Sequence, residues 1–339
     1  MEIKAMKICS PKVIRLNAET FPFQENERQI LDLINAEIIE AELPEDCIDI
    51  AEADAIIIVS AYLKKTVIDK LKKCRIISRM GTGVDKIDIG SATQKGIFIT
   101  NVPGFSTEEV ADHTMALLLS AARQLKNYEL SMRQGKQPHD MINMHRLSTR
   151  TLGLVGFGKI AQAVAKRALA FGMRIIISDP RGAPSDGTFA EVKFYDLDTV
   201  LKESDYLSLL CPIMPSTHGM IGANEFAKMK PSAVLINTGR GELVDEDALV
   251  KALQQRIISY AAIDVFGQIN VFSKGGFETN HALFNLENVQ LTPHVAAYSQ
   301  EAMEEVHQKA AQAVVDVLSG RQPQNLVNLE LITNKHRDN

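Results

Sequence analysis

The stretch 151–180, TLGLVGFGKIAQAVAKRALAFGMRIIISDP, constrains this chain more than any other part of it. It reads as strand, glycine turn, helix and strand, with an acid closing the second strand, the pattern of a dinucleotide-binding βαβ unit. Gly156 can take the backbone angles of a sharp turn. Gly158 has no side chain to keep a pyrophosphate away from the helix N-terminus, where unpaired N–H groups and the helix dipole favour negative charge. Ala161 replaces the usual third glycine and is small enough for helix and strand to pack closely. Asp179, about 20 residues on, stands where a carboxylate accepts the ribose hydroxyls of NAD and repels the 2′-phosphate of NADP. A glycine turn alone says little; with its flanking elements and the acid at that distance it points to NAD.

With 339 residues there is material for two cores. A net charge of −5 without a long basic run argues against nucleic acid and anionic membrane as partners. Cys9, Cys47, Cys74 and Cys211 are scattered, with no CxxC pair, which argues against a zinc site or a disulfide framework. The N-terminus has no signal-peptide core, and no span of about 18 apolar residues occurs. The expectation is a soluble cytoplasmic protein that holds no metal.

Apolar runs at 55–59, 75–78, 97–100, 152–155, 175–178, 206–210, 233–237, 261–265 and 289–292 alternate with helical patterns. The helices are expected at 25–35, 65–73, 107–125, 160–171, 197–203, 223–227, 245–254 and 300–318. Such alternation predicts an α/β protein with parallel sheets. Asn101-Val102-Pro103-Gly104 is a turn and a reasonable domain crossing. The final helix follows the last strand and is expected to return to the first domain. The expected division is therefore 1–101 plus 299–339 as a substrate-binding domain and 102–298 as the NAD-binding domain. The helix after Thr107 is apolar almost all round, which implies burial on more than one side.

Three strand ends carry chemistry. The run 232–245, SAVLINTGRGELVD, presents Arg240, whose guanidinium can grip a carboxylate with two parallel bonds and polarise a neighbouring carbonyl. The run 260–266, YAAIDVF, ends on Asp264, placed to hold a nicotinamide amide. The run 291–294, LTPH, ends on His294, a side chain suited to moving a proton near neutral pH. Alone, such an arginine is more often simply solvated, such a histidine more often a loop-stapling hydrogen bonder, and Asp264 could be a helix or turn cap. Together, at successive strand ends of a dinucleotide-binding sheet, they form a site. The remaining histidines show no ligand spacing, and His113 reads as an interior residue. The acidic run 245–247 reads as a helix start.

These segments resemble the D-isomer-specific 2-hydroxyacid dehydrogenases along nearly the whole chain. The matching motifs are MGTGVDKID at 80–88, NVPGFSTEEVADHTMALLL at 101–119, GLVGFGKIA at 153–161, NTGRGELVDEDAL at 237–249, AAIDVF at 261–266 and LTPHVA at 291–296. The resemblance implies two Rossmann-like domains with the active site in the cleft between them, and a homodimer. It implies NAD as cofactor, and Arg240 and His294 as catalytic residues. Substrate contacts carry over to Ser60, Thr82, Gly83 and Arg240. Cofactor contacts carry over to Gly156, Gly158, Lys159, Ile160, Asp179, Cys211, Pro212, Thr217, Thr238, Gly239 and Asp264.

The pattern breaks at position 269. Where the family has a glutamate that orients the histidine and raises its pKa, this chain has Ile269. Gln268 is the expected substitute, with Glu278 a more distant one. A neutral partner orients the ring without stabilising imidazolium, so keto-acid reduction is expected to slow at alkaline pH. A second break is Val59, where an arginine often precedes the serine; its absence favours a small uncharged substrate side chain over a phosphorylated one. The expected function is NAD-dependent interconversion of a D-2-hydroxy acid and its 2-keto acid. The alternative is an NAD(H)-binding regulatory or scaffold protein with little turnover.

Overall fold

The fold is that of a computed structural model, which describes residues 10–136, 144–184, 189, 192–273 and 275–330. Cys9, His139 and His336 lie outside the described residues. The chain divides into two compact units, 1–105 with 299–339, and 106–298.

The first unit is built on β1 (Lys12–Leu16), α1 (Glu25–Leu31), β2 (Glu37–Ala41), β3 (Ala55–Ile58), α2 (Lys65–Ile68), β4 (Ile76–Arg79), α3 (Ile89–Gln94) and β5 (Phe98–Thr100). Its strands form one parallel sheet in the order β2-β1-β3-β4-β5. The sequence pattern missed β1 and β2. Both carry charges, and Glu37–Ala41, at the sheet edge, has no fully buried residue, so neither reads as an apolar run.

The second unit contains α4 (Thr107–Ala122), α5 (Leu125–Arg133), β6 (Thr151–Val155), α6 (Lys159–Ala170), β7 (Arg174–Ser178), β8 (Lys193–Phe194), α7 (Leu197–Glu203), β9 (Tyr206–Leu209), α8 (Ala223–Phe226), β10 (Val234–Asn237), α9 (Glu246–Gln254), β11 (Tyr260–Ile263) and β12 (Val289–Leu291). Seven parallel strands run in the order β12-β11-β10-β9-β6-β7-β8. The order reverses between β6 and β9, the switch point at which doubly wound sheets bind ligands. The helix expected over 107–125 is broken, because Gln124 takes a left-handed conformation (φ 53°) and starts a new helix. Helix α4 buries Val110, Ala111, Thr114, Met115, Leu117 and Leu118 and packs on α6, β10 and β11. The α/β expectation of two parallel sheets holds, with both faces of each sheet covered, as parallel strands require.

The chain returns to the first unit with α10 (Gln300–Leu318), which packs on α1, β3 and β4. A buried ion pair ties these parts together. Arg15 Nε bonds Glu27 Oε1 at 2.9 Å, and Glu27 Oε2 lies 2.6 Å from His307 Nδ1. Arg15 also donates to the carbonyls of Leu16 and Phe21, so the charge is satisfied inside the core. Glu27→Ala leaves the guanidinium buried without its counter-ion and should cost about 3–5 kcal/mol. The drop in denaturant midpoint measures it, and Arg15→Met with Glu27→Leu and His307→Leu should recover most of the loss.

Candidate active site

The β6–α6 turn is shaped by its glycines. Gly156 has φ 90°, and a Cβ there would come within 2.8 Å of the Cys211 backbone, so the turn lies directly on the end of β9. At Gly158 a Cβ would meet nothing within 4 Å, and no side chain caps α6. Open space before an uncapped 12-residue helix fits a pyrophosphate. Lys159 and Ile160 form the first turn of that helix, with Lys159 exposed. Asp179 follows the end of β7 and accepts from Phe157 N–H at 2.6 Å. Arg181, which sequence reasoning missed, forks onto it with Nε 3.0 Å from Oδ1 and Nη2 2.8 Å from Oδ2. Bonds from the Arg181 side chain, then from the N–H groups of Arg181 and Phe157, outweigh burial and hold the Asp179 carboxyl down to about 2. It is therefore ionised, and its two oxygens already hold four donors, so ribose hydroxyls would take the places of the Arg181 fork.

Past β9, Cys211 is half-buried, and burial pushes its thiol up to about 11, so it presents a neutral sulfur. Thr217 Oγ1 donates to Pro212 O at 2.8 Å and closes the following turn. Past β10, Thr238 is buried with its hydroxyl 2.7 Å from that of Thr114 on α4. Asn237 shapes the next turn, accepting from Gly239 N–H and donating to Arg240 O. Arg240 Nη1 bonds Gly239 O at 2.8 Å. Gly241 is required here, because a Cβ would stand 2.0 Å from the carbonyl carbon of Phe266.

Asp264 follows β11 and is fully buried. The sequence reading assigns it to a nicotinamide amide; the structure gives its carboxylate a task within the chain. It accepts from Thr292 Oγ1 (2.5 Å) and from the N–H groups of Val295 (3.0 Å) and Ala296 (3.1 Å). Its backbone oxygen accepts from His294 N–H at 2.8 Å. Burial opposes its ionisation, yet these bonds, with His113 nearby, hold its pKa below the ordinary aspartate value. His113 Nε2 is 3.1 Å from Thr292 Oγ1 and 3.5 Å from Asp264 Oδ1; because the threonine hydroxyl donates to the carboxylate, its oxygen accepts from the ring N–H. His113 is the interior residue its helix implied. The clamp holds His294 at φ 56°, a left-handed conformation that histidine tolerates better than most residues.

Gln268 does not bond His294 with its side chain, which lies on an exposed residue. Its backbone N–H instead donates to Glu246 Oε2 (3.1 Å), beside Gly267 N–H on Oε1 (2.6 Å). The buried Glu246 carboxylate thus accepts from both peptide donors, while Gln268 itself is exposed. Glu278 accepts from Asn280 Nδ2 at 2.8 Å. The Phe272 ring packs on His294, with ring centroids 5.1 Å apart and planes at 44°. Nothing in the sequence singled out Glu246 or Phe272.

In the first unit, Ser60 follows β3, and Thr82 and Gly83 follow β4, again at strand carboxyl ends. Asn17 Oδ1 accepts from the N–H groups of Val59 (3.2 Å), Ser60 (2.8 Å) and Ala61 (2.9 Å), fixing that turn. Asn101 Nδ2 bonds Thr82 O at 2.7 Å. Among the described residues no group of His, Cys, Asp and Glu could hold a metal ion, and no helix is long and apolar enough to cross a membrane.

The family profile described as "D-isomer specific 2-hydroxyacid dehydrogenase, NAD binding domain" matches residues 115–296. Glyoxylate reductase of Thermococcus litoralis is 38% identical over 292 residues, covering 84% of this chain and 86% of its own. Hydroxypyruvate reductase of Thermotoga maritima is 39% identical over 258 residues, 76% of this chain and 82% of its own. The solved structure of D-lactate dehydrogenase from Aquifex aeolicus, complexed with NAD and lactic acid, superposes with a TM-score of 0.83. It is 29% identical and covers 95% of this chain and 98% of that one.

Three substitutions test this geometry. Asp264→Asn turns an acceptor into a donor opposite a buried N–H and should cost about 1–3 kcal/mol at pH 7. Because the folded pKa is depressed, the stabilisation is whole above the ordinary value near 3.9 and fades as pH falls through the lower folded value. The stability gap between wild type and variant should therefore narrow from pH 7 to pH 3, as read by denaturant midpoints. Gly241→Ala should destabilise by about 1–3 kcal/mol through backbone overlap. Gly158→Ala should change stability by less than about 0.5 kcal/mol while weakening NADH binding, as titration calorimetry would show.

Proposed function

The chain belongs to the D-isomer-specific 2-hydroxyacid dehydrogenases, and from that premise we propose a residue-level account of how it interconverts a D-2-hydroxy acid and its 2-keto acid with NAD. The observation that carries the account is the row of strand carboxyl ends in one sheet, from the Gly156 turn through Arg240 and Asp264 to His294. When bound, the nicotinamide supplies or accepts the hydride. Gly156, Gly158, Lys159 and Ile160 cradle the pyrophosphate, Asp179 takes the ribose, and Cys211, Pro212, Thr217, Thr238 and Gly239 line the path toward the nicotinamide.

Arg240 grips the substrate carboxylate with its planar fork and polarises the neighbouring carbonyl. His294 gives a proton to the carbonyl oxygen in reduction and removes it from the hydroxyl in oxidation. Asp264 holds the His294 turn from beneath. We take the substrate to be a small 2-keto acid without a phosphate. The unit 1–105 with 299–339 is the substrate-binding one, and 106–298 binds the cofactor.

We also propose a homodimer. Helix α5 buries none of its residues, while Leu125, Leu130 and Met132 on it are exposed, as are Leu169 and Phe171 at the end of α6. A second copy covering them would remove that apolar surface from water. A cytoplasmic location suits the free thiols of Cys47 and Cys74. The curated relatives named above are reductases, which favours turnover over the scaffold alternative.

NADH oxidation against a panel of small 2-keto acids tests the account. His294→Ala should lower kcat by about 10²–10⁴-fold with NADH binding unchanged. Arg240→Lys should act chiefly on keto-acid kcat/KM. Asp179→Ala should raise the KM for NADH about tenfold and, by releasing Arg181, narrow the preference over NADPH. Tight NADH binding with no keto acid reduced at any pH would overturn catalysis and return the scaffold reading.

A further inference from the structure

Glu246 is a buried carboxylate that the account above leaves without a role. It does not cap its own helix, since Asp245 does that by accepting Ala248 N–H at 3.0 Å. It turns inward, 4% exposed, and receives the N–H groups of Gly267 and Gln268, with His281 Nε2 3.7 Å away. His281 Nδ1 accepts from Leu283 N–H, which leaves the ring proton on Nε2, facing the carboxylate. From the other side, the 266–267 peptide rests on Gly241. The root of the 266–272 run is therefore fixed by a charge on one face and by contact on the other. Within that run Asn270 Oδ1 accepts Phe272 N–H at 3.2 Å, and the Phe272 ring lies against His294.

We propose that Glu246 and Phe272 are positioning residues for His294: Glu246 pins the 266–272 run by its backbone, and the run lays the Phe272 ring against the imidazole. The assignment rests on the dehydrogenase reading for the role of His294, but the contacts stand independently of it. With its backbone clamped by Asp264 and one side of its ring covered by Phe272, the imidazole loses much of its freedom to swing. This does by packing what a hydrogen-bonded carboxylate at position 269 would do by charge. An aromatic face also favours the imidazolium form, less strongly than a carboxylate does. Among the described residues, Asp264 beneath this turn and His113 beyond Thr292 are the titratable groups that the contacts place around it. Glu246 with His281 stands at the root of the run, and Arg240 is next to Gly241.

The test uses the full-length protein with Phe272→Leu, which keeps bulk and loses the ring, and Glu246→Gln, which keeps shape and loses charge. Each variant should lower kcat about tenfold or more while NADH dissociation constants stay within about twofold. Phe272→Leu should also move the alkaline limb of keto-acid reduction down by about half a pH unit. In protein labelled with 15N-histidine, the His294 ring signals, assigned with His294→Asn, should shift in both variants. A purely structural role would lower Tm without moving the pH limb or those signals. Folded variants whose kcat, pH limb and His294 signals all match wild type would overturn the proposal. If wild type reduces no keto acid while the His294 signals still respond to both substitutions, the dehydrogenase account fails and the positioning role stands.

Discussion

Seven strands hydrogen-bonded in parallel are the constraint on which the second unit depends. Parallel pairing sends every carboxyl end to the same edge, so residues far apart in sequence gather in one row. Asp179, Arg240, Asp264 and His294 share nothing local; each simply follows a strand. The reversal of strand order between β6 and β9 opens the crevice beside Gly156, where the turn meets Cys211 at backbone contact.

Once strand ends are aligned, the loops beyond them must be held, and this chain holds them with buried polar side chains. Asp264 gathers the 292–296 turn, Glu246 gathers the 267–268 peptides, Asn17 gathers the 59–61 turn, and Asn237 shapes the turn before Arg240. Asp264, Glu246 and Asn17 each serve several backbone donors that would otherwise be unsatisfied, while Asn237 accepts one N–H and donates to one carbonyl. Each such residue is a short polar group in an apolar setting, where its bonds are stronger than in water and its removal dearer. The same logic places Arg15, Glu27 and His307 together in the core of the first unit. Rigid loops matter because, in the roles proposed for them, Arg240 and His294 would meet a small substrate with little tolerance in distance.

Most central strands were legible as apolar runs, and the β6–α6 turn was legible because glycine spacing carries its own mechanics. The edge strand β2 was not legible, since Glu37 and Glu40 interrupt its apolar pattern. The break between α4 and α5 was hidden because Gln124 carries no signal for a left-handed turn. The site showed the same division. Arg240 and His294 stood out as reactive types at strand ends, whereas Glu246 was indistinguishable from its acidic neighbours. Gln268 was a reasonable substitute for the missing glutamate on sequence distance alone. Distance along the chain does not say which way a side chain faces, and here it is the Gln268 backbone N–H that finds a partner, in Glu246.

By itself the sequence determined the α/β class, the dinucleotide turn, the acid that closes it and the order of reactive residues along the chain. It did so because hydrophobic period, glycine spacing and residue chemistry are local properties. Only the tertiary structure decided that Arg181 forks onto Asp179, that Asp264 clamps the His294 turn, and that Phe272 covers its ring. Those contacts join residues brought together by the stacking of strands and loops, and no local pattern records which buried oxygen will find which N–H.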